Sequence, residues 1–182
     1  MRRLLSIAFT IFVAGTTLVS AQATPESEKL NYFAGTWKLE IHLRQSPISD
    51  KVFFGTEHNE WLPGRSLLLS RPEEQNVLGK GGVTVMAYDR NAKAYTYHQI
   101  KSGREEQKLF GTFTDGTWTW TGEEIAQNPK TFKTRLIMKE VSKTCYSLLL
   151  ESANDGQNWA IVMEGIATKI VPRAHQDVAF LR

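Results

Sequence analysis

The sequence predicts an all-β protein, a single up-and-down antiparallel β-barrel of about ten strands with a short N-terminal helix. Three observations carry that prediction. From Gly35 to Ile170, short strand-like runs follow one another, each closed by a turn signal after roughly 8–14 residues. In the clearest run, Trp37, Leu39, Ile41 and Leu43 alternate with Lys38, Glu40 and His42, the period-two pattern of a strand with one face in a core. The connections are too short for parallel crossovers, so successive strands must be antiparallel neighbours, and closing such a meander removes its edges.

The elements follow in order. Arg2 and Arg3, the apolar stretch Leu4 to Val19 and the small residues Val19-Ser20-Ala21 form an export signal over 1–21, with Ala23 as a second cleavage site. The stretch is short for a bilayer span and lacks a charged stop flank, so no membrane segment is expected after cleavage. Over 22–34, Thr24-Pro25-Glu26 offers a hydroxyl N-cap, a proline at the first helical position and an acid in the first turn. Leu30 and Phe33 would share a face of that helix and could close one end of the barrel.

The barrel domain is expected over 35–170. After the first strand, Pro47 and Asp50 mark a loop, and Val52 to Leu62 turns through Pro63-Gly64 into Arg65 to Arg71. Gly79 to Gly82 precedes Val83 to Tyr88, and Asp89-Arg90-Asn91 leads into Ala94 to Lys101. Ser102-Gly103 and Asp115-Gly116 bracket Gln107 to Phe113; Asp-Gly between alternating runs is a strong hairpin signal. Thr117 to Gly122 follows, then Asn128-Pro129, Phe132 to Val141, and Cys145 to Ser152 after Ser142-Lys143. Asn154-Asp155-Gly156 closes the last hairpin before Trp159 to Ile170, and 171–182 reads as a tail on the surface or fraying.

Cleavage after Ala21 would leave 161 of the 182 residues, which suits one domain with a sizeable core. The formal net charge of +3 falls to about +1 once Arg2 and Arg3 leave with the signal, and no long run of one sign points to nucleic acid. Cys145 is the only cysteine, so an exported chain would hold itself together without an internal disulfide. Cys145 reads as a small apolar filler.

Phe33-Ala34-Gly35-Thr36-Trp37 resembles the opening Gly-x-Trp signature of the calycin superfamily, which includes lipocalins and fatty-acid-binding proteins. The exported part is similar to the DUF1579 family of uncharacterised bacterial proteins. The matching pieces are that opening, Trp61 to Leu67, Val85-Met86-Ala87-Tyr88-Asp89, Phe110-Gly111, and Asp155 to Trp159 with Glu164 downstream. The resemblance implies a calycin-like barrel in which Trp37 packs across the floor, and it supplies no catalytic residues. Haem barrels of the nitrobindin type differ: Leu39 stands where their second glycine would be, and the last strand has no histidine, His175 lying beyond Pro172.

Chemistry-bearing residues are sparse. His42 alternates onto the charged face of its strand. In Glu57-His58-Asn59-Glu60-Trp61, His58 and Glu60 share one face and Glu57 takes the other, at most two metal ligands unless His98 joins them. In Tyr95-Thr96-Tyr97-His98-Gln99 either face could be inward, so either His98 or the set Tyr95, Tyr97 and Gln99 lines the interior. Arg135 has the parity of Lys133 and Lys139, which predicts exposure. Glu105-Glu106 and Glu123-Glu124 split across faces near turns, and no nucleophile elbow occurs. Trp118 and Trp120 share a face, either as core or cavity wall or, facing outward, as a sugar-stacking platform.

The function expected from these readings is non-covalent binding of a small apolar or amphipathic molecule inside the barrel of an exported (periplasmic or secreted) protein. Trp61, Tyr97, His98, Trp118 and Trp120 are the candidate ligand-binding residues, with no catalytic or metal residues and no cofactor. Two alternatives stand beside it. An envelope scaffold predicts a filled barrel with an exposed apolar patch, and an enzyme predicts His98, His58 and carboxylates converging in one pocket.

Overall fold

Ten strands make one closed sheet: β1 (Gly35–Leu43), β2 (Lys51–Trp61), β3 (Leu67–Pro72), β4 (Val83–Asp89), β5 (Ala94–Ile100), β6 (Gln107–Thr114), β7 (Thr117–Ile125), β8 (Thr131–Ser142), β9 (Cys145–Ala153) and β10 (Ala160–Lys169). Each pairs antiparallel with its neighbours in sequence, and β10 closes on β1 from Trp37↔Lys169 to Leu43↔Met163. This computed structural model describes residues 24–44, 51–73, 82–100, 106–125 and 131–171. The export signal, both cleavage sites, Pro47, Asp50, Gly79 to Gly81, Ser102-Gly103, Glu105, Asn128-Pro129 and the tail from Pro172 with His175 lie outside the described residues. No helix among the described residues is long and apolar enough to cross a membrane.

Alternation decides what each strand buries. On β1 the inward residues Trp37, Leu39 and Ile41 are buried, while Lys38 and Glu40 stay exposed. Two strand limits differ from the pattern read in the sequence. β3 begins at Leu67 rather than Arg65, because the turn at Pro63-Gly64 carries Arg65 into positive φ (50°) before the ladder starts. β7 continues past Gly122 to Ile125, because β8 supplies partners for every residue, including the opposite charges Glu123↔Lys133. Asp115 and Gly116 both take positive φ (48° and 72°), the backbone of a tight two-residue hairpin turn. Cys145 is half-buried at the start of β9, with the opposite parity to buried Tyr146, so it does not fill the core.

The N-terminal segment is a lid over one end. α1 (Pro25–Lys29) starts with Thr24 as N-cap; Ser27 donates its backbone N–H to Thr24 Oγ1 at 3.2 Å, and Thr24 returns its own to Ser27 Oγ at 2.7 Å. A single 3₁₀ turn, Leu30–Tyr32, follows and drives Leu30 and Phe33 into the core, both essentially fully buried. Polar contacts fasten the lid to the rim. Phe33 O accepts from Trp37 Nε1 at 2.7 Å and from Asn59 Nδ2 at 3.0 Å, and Tyr32 Oη, 2.8 Å from the carbonyl oxygens of both Ser142 and Cys145, shares its single proton between them. Burial pushes the Tyr32 phenol up to about 12, which keeps it a donor at any ordinary pH.

Beneath the lid the interior is aromatic. Trp118 and Trp120 are fully buried and lie nearly parallel, 5.9 Å between centroids at 9°. Tyr95 meets Trp118 edge-on at 4.9 Å, and Trp37 meets Tyr146 at 4.9 Å. Trp120 lies flat over Gly111 on β6, where a Cβ would sit 2.5 Å from its ring, so only glycine leaves room.

Candidate functional site

Below this aromatic layer the inward side chains become thinner and more flexible. Leu39, Ile41, Leu109, Leu136, Leu148 and Leu150 form most of a cavity of about 60 Å³, with Phe33 at its lid side. Met86, Met138 and Met163 complete the apolar wall. A water needs roughly 10–15 Å³ on this measure, so the space holds a handful of heavy atoms as it stands, and thioether chains can yield to admit more.

Polar groups enter this apolar space from a few strands. β2 contributes Glu57 and Asn59, β5 contributes Tyr97 and Gln99, β6 contributes Gln107, and β9 contributes Tyr146. Glu57 stands directly opposite Trp37 in the β1–β2 ladder, which fixes it on the inward face. It borders the cavity on one side and a smaller space beside Ser70, Thr84 and Gln99 on the other, and among the described residues its side-chain hydrogen bond is accepted from the Ser70 hydroxyl on β3. Among the described residues no cation pairs with it, and burial alone raises its carboxyl to about 7. Tyr97 and Tyr146 are both held above the ordinary phenol value, by burial first and by the Glu57 charge second.

Asn59 is nearly completely buried, and the bond from its Nδ2 to Phe33 O fixes which way the amide faces. Its Oδ1 has no hydrogen-bond partner among the described residues. Buried polar atoms are nearly always paired, so an orphaned acceptor on a cavity-lining residue is a group that an incoming donor would relieve.

The expected site residues are scattered by this geometry. Tyr97 lines the cavity. His98, next in the chain, takes the outer face and bonds Glu106 through Nε2 at 2.9 Å, so it lines nothing. Trp118 and Trp120 are inward but belong to the packed aromatic layer, with Trp118 Nε1 on Glu140 at 2.9 Å. Neither tryptophan borders the cavity or faces out to stack a sugar. Trp61 sits at the lid rim, donating to Asn31 Oδ1 at 3.0 Å with Arg65 over its ring.

His58 also faces outward, bonding Thr36 at 2.9 Å, so the converging set of imidazoles and carboxylates that an enzyme reading requires does not form. No group of three metal-ligating side chains occurs among the described residues. Arg135 is outward as its parity predicts, paired with Glu151 at 2.8 Å and stacked 4.2 Å from the Trp159 ring. Glu57 and Asn59 are the residues that sequence reasoning passed over. Counting back in twos from Trp61 would have put both on one face, but that face carries an acid and an amide while Phe54 on the other is 74% exposed, so polarity misleads.

No family model matches the chain, and no curated protein matches it. Among solved structures it is similar to designed barrels. One redesigned β-barrel is 10% identical, with 78% of this chain and 94% of that one covered at a TM-score of 0.37. The redesigned β-barrel mFAP1, bound to DFHBI, is 11% identical, with coverages of 76% and 96% and a TM-score of 0.36. A third, EF1p2_mFAP2b bound to DFHBI, is 10% identical, with coverages of 79% and 98% and a TM-score of 0.38.

Proposed function

We propose that this chain is an exported protein that binds one small apolar or amphipathic molecule non-covalently inside its barrel. The observation that carries the reading is the internal cavity walled by leucine, isoleucine and methionine, with a few polar groups from β2, β5, β6 and β9. A pure scaffold has no use for such a space, since close packing of the same interior would be more stable. The export pattern at 1–21 and the DUF1579-like motifs belong to the same proposal: a calycin-type carrier or receptor working outside the cytoplasm.

Three of the four methionines line the cavity, so methyl-labelled methionine reports on it almost exclusively. Titration with benzene or xenon, followed by NMR of the methionine methyls, is expected to shift Met86, Met138 and Met163 together and saturably. Methyl signals that stay fixed up to the solubility of both probes would overturn the reading. Cell fractionation with N-terminal sequencing tests export; an unprocessed chain retained in the cytoplasm would refute that part.

A further inference from the structure

Resting on the reading of the cavity as a binding site, we infer that its ligand is a small amphiphile with a basic nitrogen, held as an ammonium by Glu57 and Asn59. The two side chains come from alternate positions of β2 and face the same apolar space. Both offer acceptors. Glu57 has one oxygen engaged by the Ser70 hydroxyl, and Asn59 Oδ1 has no partner, while its Nδ2 is committed to Phe33 O.

A single hydroxyl on a ligand carries one proton and could satisfy only one of these acceptors. A primary ammonium carries three donors and no acceptor, which matches a carboxylate and an amide oxygen supplied by alternate residues of one strand. The charge argument points the same way. A carboxyl buried among neutral groups, with no cation beside it among the described residues, is held toward its neutral form, to about 7. A ligand cation restores the ionised form and turns a costly group into half of an ion pair. An anionic head group meets the opposite: like charge, and no donor set from Glu57 or Asn59. Only neutral donors such as the Tyr97 and Tyr146 hydroxyls and the Gln99 amide are left to offset that repulsion, so a carboxylate is the least favoured head group here.

The test is a matched series on the unaltered protein, read at the methionine methyls at pH 7.5: n-hexylamine, n-hexanol and hexanoate, with benzene as the neutral control. The amine is expected to bind at least tenfold more tightly than the alcohol, with hexanoate weakest. Glu57→Gln, nearly isosteric, should cut the amine affinity at least tenfold while leaving benzene and hexanol within about twofold. Equal affinities for amine and alcohol, or a Glu57→Gln variant that keeps its amine affinity, would overturn the inference while a benzene response keeps the cavity reading intact. Loss of every response, benzene included, would sink both.

Discussion

The two halves of the barrel interior are built from different side chains, and the difference separates stability from binding. In the lid-capped half, flat rings interlock: Phe33, Trp37, Tyr95, Trp118, Trp120 and Tyr146 pack edge-on or stacked, and most of their polar ends find partners. In the cavity half, leucines and methionines leave a gap, bordered by Glu57 and Asn59, whose polar atoms are not all hydrogen-bonded. Rigid aromatics fill space at small entropic cost, whereas flexible thioethers and leucines can rearrange around a guest. One chain thus holds a firm end and a yielding end within a single sheet.

The sharpest way to break this comparison is to truncate one buried side chain in each half. Trp118→Ala should cost roughly 3–5 kcal/mol, because a fully buried indole leaves a void that neighbouring rings cannot fill. Leu148→Ala, already bordering empty space, should cost only about 2 kcal/mol, at the low end for such truncations. Guanidinium unfolding measures both, and equal losses would show that the halves are energetically alike.

Glu57 gives the next largest effect, and its sign depends on pH. The carboxyl is raised to about 7 in the folded chain against an ordinary value near 4.5, so it favours the folded state only while protonated. Stability should be greatest near pH 4.5 and decline as pH rises through about 7, by up to about 3 kcal/mol. The other titratable groups facing it, Tyr97 and Tyr146, stay neutral throughout that window. Glu57→Gln should therefore gain stability at pH 8 and little at pH 4.5, as thermal melts at the two pH values would register. A gain equal at both would show that the carboxyl titrates normally.

Two smaller effects sharpen the picture. Leu136→Phe should fill the cavity, raise stability by about 0.5–1 kcal/mol and abolish the benzene response at the methionine methyls. His98→Ala removes an outward contact to Glu106 and should change stability by less than about 0.5 kcal/mol, with no change in binding.

The barrel was legible in the sequence because its strands announce themselves by alternation and its turns by Asp-Gly, Pro-Gly and Asn-Asp-Gly. The lid was legible because Thr24-Pro25 is a local signal with a local cause. The site was not, because its placement depends on which face of β2 and β5 turns inward, and there the two faces are similarly polar. Tyr97 and His98 both look fit for an interior; only the ladder, with Tyr97↔Leu109 inward and His98↔Lys108 outward, separates them. Trp118 and Trp120 read as a cavity wall because bulk on an inner face lines whatever space is left. What the pattern could not supply was depth along the barrel axis, which puts both beside the lid rather than beside the gap.

Of the ten ladders, nine join strands adjacent in the chain, and the tenth joins the first strand to the last. That seam is tight: at Gly165 a Cβ would lie 2.2 Å from the Glu40 carbonyl oxygen. Its formation sets an order of events on biogenesis. Nine hairpins can zip as they emerge, but the cylinder stays an open ribbon with two bare edges until residues near Lys169 arrive. A chain cut short before Ala160 would present those edges of β1 and β9 to other molecules, so ribosomal stalling or early proteolysis should yield polymers rather than a smaller soluble barrel.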